Sequence, residues 1–144
     1  MSDNFWQKGS LMSLVEPTYG LLQKVRFASG RDTQRVESHP VTGAQLMGVT
    51  LPCWQSVLDL AKVAHSTVPD NGVLGWDIAI ASERAVLIEC SKKAGHALYQ
   101  LAAGCGVLNA DFTPVFAKIN ARNARILEAF AAKRQTYQKA MAHF

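Results

Sequence analysis

The chain has 144 residues and a mass of 15.7 kDa, enough for one domain with a real core. At 49% hydrophobic and 18% charged residues its composition excludes wholesale disorder, and a formal charge of +4 is too mild to argue for nucleic acid. Apolar runs are broken well before the roughly 20 residues that span a bilayer, and the opening Met-Ser-Asp-Asn-Phe-Trp lacks the basic then apolar order of a signal peptide. The three cysteines, Cys53, Cys90 and Cys105, are odd in number and widely spaced, so no zinc or redox motif is expected and a reduced, cytoplasmic setting is.

In chain order, Leu11 to Glu16 is a short apolar run, Pro17-Thr18-Tyr19-Gly20 a turn, and Leu21 to Ala28 a second strand, predicting a hairpin. Ser29-Gly30-Arg31-Asp32 is another turn, Thr33 to Ser38 a short edge strand, and His39-Pro40-Val41-Thr42-Gly43 a loop. A helix is predicted from Thr50-Leu51-Pro52, with Thr50 or Leu51 near the cap and Pro52 in the first turn. Trp54, Val57, Leu58, Ala61, Ala64 and His65 make its apolar face, and Val68-Pro69-Asp70-Asn71-Gly72 ends it. Val73 to Ala81 and Ala85 to Cys90 follow as strands around the turn Ser82-Glu83-Arg84. Being apolar on two faces, they are expected at a central, covered place in a sheet. Ser91 to Gly95 is a loop, and His96 to Ala103 a short helix that Gly104-Cys105-Gly106 breaks. Thr113 as cap and Pro114 in the first turn open a last helix that runs to about Ala142, striped by Phe116, Ile119, Ile126, Phe130, Tyr137 and Met141.

The second hairpin carries the chemistry. If Ala81 pairs with Ala85, then Asp77 lies opposite Glu89, and strand alternation puts Asp77 on one face with Gly75, Ala79 and Ala81. Glu89 shares that face with Leu87 and Ser91, while Leu74, Trp76, Ile78, Ile80 and Ile88 form a core pattern on the other. Like charges opposite one another destabilise a sheet. A divalent cation between them is one remedy, with Gly75 and Ala79 leaving room for a ligand. The other reading is a register off by one, with the two acids apart and solvated.

His39-Pro40-Val41-Thr42-Gly43, Gly48-Val49-Thr50-Leu51-Pro52-Cys53-Trp54, Gly75-Trp76-Asp77-Ile78-Ala79 and Val86-Leu87-Ile88-Glu89 occur in that order, after an opening Asn4-Phe5-Trp6-Gln7-Lys8-Gly9-Ser10. Together these segments resemble the sugar-transfer-associated ATP-grasp group, also described as related to alpha-L-glutamate ligases, over roughly residues 4 to 100. The resemblance implies ATP held between two α+β subdomains, and ATP- and Mg²⁺-dependent ligation of a carboxylate to an amine or related nucleophile through an acyl phosphate. It implies Asp77 and Glu89 as metal ligands, with Ser91 where the family has an Asn ligand, and Asn4 at a cofactor-binding position. Lys92 and Lys93 either touch phosphate or oppose the cation. Cys90 and Arg84 stand where the family favours Gly, and Ser10 replaces a second Gly of the opening motif. A full ATP-grasp domain also has an upstream half supplying the lid, the phosphate-holding lysines and most of the adenine pocket. This chain begins after those elements, so it is expected to be inactive in isolation.

Other residues keep two readings. His39 contacts an anionic substrate or is an ordinary exposed loop histidine; His65 packs its helix; His96 caps the short helix or approaches phosphate. Lys24, Arg26, Arg31 and Arg35 lack the interleaved aromatics of a nucleic-acid platform and read as a solvated face. In the last helix Lys118, Arg122, Arg125, Lys133 and Arg134 form a basic side, and Tyr137, Met141 and Phe144 are candidates to meet a second copy or a partner.

The expectation is an α+β fold. A mostly antiparallel sheet with packed helices, like the C-terminal subdomain of the ATP-grasp fold, occupies residues 1–110. The C-terminal helix of 111–144 packs on it or sits at an interface. The expected cofactors are ATP and Mg²⁺, and the expected partners a small-molecule carboxylate and a second copy or a missing half, with no nucleic acid and no membrane. The alternative is a non-catalytic binding or dimerisation module derived from the same fold.

Overall fold

The computed structural model describes residues 7–29, 32–82 and 84–141. They belong to two compact units, residues 1–106 and 107–144. The architecture is α+β, with two small antiparallel sheets and three helices.

In the first unit, β1 (Leu11–Glu16) and β2 (Leu21–Ser29) form the predicted hairpin. Its turn is built by Glu16, whose carboxylate accepts the N–H groups of Thr18 and Tyr19, each at 2.8 Å. The Thr18 side chain and then the Thr18 amide, with the Tyr19 amide, hold the Glu16 carboxyl below its ordinary range against an opposing desolvation. Gly20 completes the turn at φ +73°, and an added Cβ there would lie 2.8 Å from the Cβ of Trp54, so no other residue fits.

The pairing slips between Met12 and Leu14, which face Arg26 and Gln23, so that Lys24 and Val25 together oppose Ser13. At this bulge Lys24 is left-handed, φ +49°, and the Ser13 hydroxyl donates to the Gln23 carbonyl at 2.7 Å. β3 (Asp32–Arg35) pairs with the other edge of β2. It ends three residues before the expected Ser38. The Glu37 carbonyl instead receives Leu46 and Met47, and Ser38 bridges to Gln45, so the chain leaves the sheet into its own loop. That loop returns to β2, where Leu22 donates to Val49 and Thr50 bridges to Leu21.

α1 (Trp54–Ser66) starts later than the Thr50-Leu51-Pro52 signal predicts, and Pro52 lies ahead of the cap rather than in the first turn. The cap is Cys53 at φ 52°, with no side-chain bond. Tertiary structure accounts for this: Trp54 donates from Nε1 to the Pro17 carbonyl at 2.8 Å and fills the space over Gly20, which anchors the helix start to the first hairpin. The stripe Trp54, Val57, Leu58, Ala61, Ala64 and His65 is half-buried as predicted. At the C-terminus Ser66 and Thr67 hydroxyls donate to the Val63 and Ala64 carbonyls.

β4 (Gly75–Ala81) and β5 (Arg84–Ser91) form a separate antiparallel pair, packed against α1. The expected central, covered position is not found. Among the described residues these strands pair only with each other, and one face is open, with Asp77, Ala79 and Ala81 exposed on it. Ile88 is 63% exposed and is not a core residue, and Leu87 pairs with Ile78, so it lies on the face toward α1 rather than beside Glu89 as expected. α2 (His96–Ala103) follows and ends on Gly104 at φ 71°. It packs on β1 and β2, and Lys24 Nζ donates to the Ala103 carbonyl at 3.0 Å, a cation on a helix C-terminus. The buried apolar residues Val25, Ala28, Ala102 and Ala103 place the core between β2 and α2.

The second unit is α3 (Thr113–Met141) and the turn before it. Thr113 is the first residue of the helix rather than its cap, and Asn109 shapes the turn before it: Asn109 Oδ1 accepts Asp111 and Phe112 N–H at 3.0 and 3.1 Å. Phe112 and Phe116 stack with centroids 6.1 Å apart. Ile126, Leu127, Phe130, Tyr137 and Met141 are all exposed.

Candidate functional site

The β4–β5 ribbon sorts its side chains by face. Trp76, Ile78 and Ile80 are half-buried against α1, while Asp77, Ala79 and Ala81 are exposed. Asp77 pairs with Glu89, as the sequence predicts, but not through the predicted turn. Ala81 faces Arg84 rather than Ala85, a connection one residue tighter. Carried down regularly, that pairing would put Asp77 opposite Ile88. A bulge between Asp77 and Ile78 leaves Ile88 without a partner and restores Glu89 to the position across from Asp77.

One step on, Gly75 pairs with Ser91, so Asp77, Glu89 and Ser91 share one face. The two carboxylates have no hydrogen bond or ion pair to any side chain among the described residues. Ser91 donates its hydroxyl proton to the Lys93 carbonyl at 3.0 Å, which folds the following loop. The expected room above Gly75 is taken by that loop: an added Cβ would meet the Ala94 Cα at 3.3 Å. Lys92 and Lys93 extend from the same loop, both exposed. Among the described residues no group of three or more His, Cys, Asp or Glu gathers to hold a metal. The arrangement is two acids and a hydroxyl. Asn4 lies outside the described residues, as do Arg31 and Phe144.

The histidines are placed differently from one another. His39 spends its ring on its own loop: Nδ1 accepts the Val41 and Thr42 N–H groups, each at 3.2 Å. His65 faces Trp76 and Asn71 from the last turn of α1. No spacing in the sequence signals that contact, because Trp76 lies on the next strand. His96 is the first residue of α2, whose cap is Gly95.

No helix among the described residues is long and apolar enough to cross a membrane. No match is found for the chain among curated proteins or among solved structures. The family model described as sugar-transfer associated ATP-grasp matches residues 1–113. That span takes in the whole first unit, including the hairpin with Asp77 and Glu89 and the loop with Lys92 and Lys93. The chain belongs to the sugar-transfer associated ATP-grasp family.

Proposed function

We propose that this chain supplies the metal-holding side of an ATP-grasp site. The reaction is the family's: ATP-dependent joining of a carboxylate to an amine or similar nucleophile through an acyl phosphate, as in the alpha-L-glutamate ligases. One observation carries the reading. Asp77 and Glu89 face each other on an open ribbon face, with no protein cation between them among the described residues. Cross-strand acids repel, and a hard cation with oxygen ligands relieves them. Asp77 and Glu89 would hold Mg²⁺, with Ser91 a weaker third ligand whose hydroxyl, having donated to Lys93, keeps lone pairs for a cation. Bound there, Mg²⁺ neutralises charge on the transferring phosphoryl group. Lys92 and Lys93 would meet the phosphates, and Asn4 joins them on the family resemblance alone. Because both acids are exposed, a closing half is required for turnover, and the isolated chain is not expected to catalyse. The cysteines Cys53, Cys90 and Cys105, as thiols rather than disulfides, fit a cytoplasmic setting.

The test is calorimetric titration of Mg²⁺-ATP into the full chain and into Asp77→Asn. Binding is expected to need Mg²⁺ and to weaken in the variant by at least about tenfold, the loss seen when even an outer-shell metal partner is removed. A well-folded chain that binds no nucleotide overturns the reading. The exposed apolar stripe of α3 favours a second one, a non-catalytic binding or dimerisation module. A stable dimer indifferent to nucleotide in sedimentation equilibrium is its expected signature.

A further inference from the structure

His65 uses both ring nitrogens. Trp76 Nε1, which can only donate, lies 3.4 Å from Nδ1. The Asn71 carbonyl oxygen, which can only accept, lies 3.1 Å from Nε2. These partners define the tautomer: Nδ1 is bare and Nε2 carries the proton. The two rings meet edge to face, with centroids 6.3 Å apart and planes at 69°. One side chain thus ties together the end of α1, the loop that follows it and the head of β4.

We propose that His65 is a proton-operated latch that holds the head of β4 to α1 only while its ring is neutral. Protonation places a hydrogen on Nδ1, directly against the indole N–H, so that two donors face each other and the Trp76 bond is lost. The Nε2–H continues to donate to Asn71 and does so more strongly from a charged ring. A proton therefore moves the allegiance of His65 from strand to loop without dislodging the side chain. Among the described residues the charged and titratable groups nearby include Lys62, Asp59, Asp70 and Cys90. Lys62 lines the same open groove with Ala61, Ser66 and Trp76 and is paired to Asp59 at 3.9 Å. Asp70 precedes Asn71 in the loop, and Cys90 pairs with Trp76 across the ribbon. Asp77 lies on the opposite face, yet it is the next residue after Trp76, so the bond lost is the one beside a candidate metal ligand. The latch works whether or not that face holds a cation.

The test is NMR on the full chain without metal or nucleotide, from about pH 8 to about pH 5, where histidines change charge. At the higher pH the His65 ring is expected as the Nε2–H tautomer. Protection of the Trp76 indole N–H, assigned with Trp76→Phe and measured against a free indole at the same pH, is expected to fall several-fold on protonation. About tenfold is the upper bound for one hydrogen bond. His65→Asn offers an amide oxygen near the Nδ1 position and takes no proton in this range, so its indole is expected to stay protected throughout. His65→Leu is expected to lack that protection at both ends. An Nδ1–H tautomer, protection indifferent to protonation, or the same acid loss in His65→Asn would each overturn the proposal.

Discussion

Glu16 shows how one side chain can specify a turn. Its two carboxylate oxygens collect the amides of Thr18 and Tyr19, and its own carbonyl collects Gly20. The Thr18 side chain and then these amides favour the ionised form, which is why the folded-state pKa lies below the ordinary value. The sign of the pH dependence follows. A group with a depressed folded pKa adds stability above its unfolded pKa and loses that contribution as pH falls through the folded one. The stability gap between the wild-type chain and Glu16→Gln, from urea unfolding, is therefore expected to be full at neutral pH and to close in acid. A gap unchanged by acid would mean that the charge on Glu16 is irrelevant to the turn. Lys24 shows the opposite economy: it accepts a left-handed backbone, ordinarily unfavourable by about 1–2 kcal/mol, at the bulge from which its ammonium reaches the Ala103 carbonyl.

At the scale of elements, what could be read from sequence was what local chemistry controls. β1, β2, α2 and α3 lie close to where turn residues and helix stops place them, since Pro17, Gly20, Gly104 and Pro114 act within a few residues of themselves. The start of α1 was not legible, because it depends on Trp54 reaching Pro17 across the fold. The openness of β4 and β5 was not legible either, because an apolar run does not say how many neighbours a strand has. The Asp77–Glu89 pairing was legible for a partly mistaken reason. The real turn is one residue shorter than the sequence implies, and the bulge at Ile88 adds that residue back. Deleting Ile88 should then straighten β5 while leaving Asp77 across from Glu89. The expected signature is a retained cross-strand NOE between the backbones of these two residues, with little loss of stability, since Ile88 is 63% exposed. Loss of that NOE would show that the bulge itself fixes the register.

Across the whole molecule, stability and charge are unevenly distributed, and the two units differ in both. Residues 107–144 hold six of the fifteen Lys and Arg but only two of the eleven Asp and Glu, so the formal net charge of +4 resides there. Burial is concentrated elsewhere, at Val25, Ala28, Ala102 and Ala103, where β2 meets α2. A helix gains most of its stability from packing an apolar face, and isolated helices are marginal in water. In α3, Leu127, Phe130, Tyr137 and Met141 are each more than half exposed, so its C-terminal half has little tertiary packing to hold it. The amides of β2 and α2 should therefore be the last to exchange with deuterium, with protection approaching that of global unfolding. The amides from about residue 123 to 141 should exchange through local fraying at much lower free energy. Equal protection in both regions of the chain at micromolar concentration would mean that the stripe is covered in solution. If the α3 protection then declined on dilution, a second copy would be the cover, because only an intermolecular contact responds to concentration.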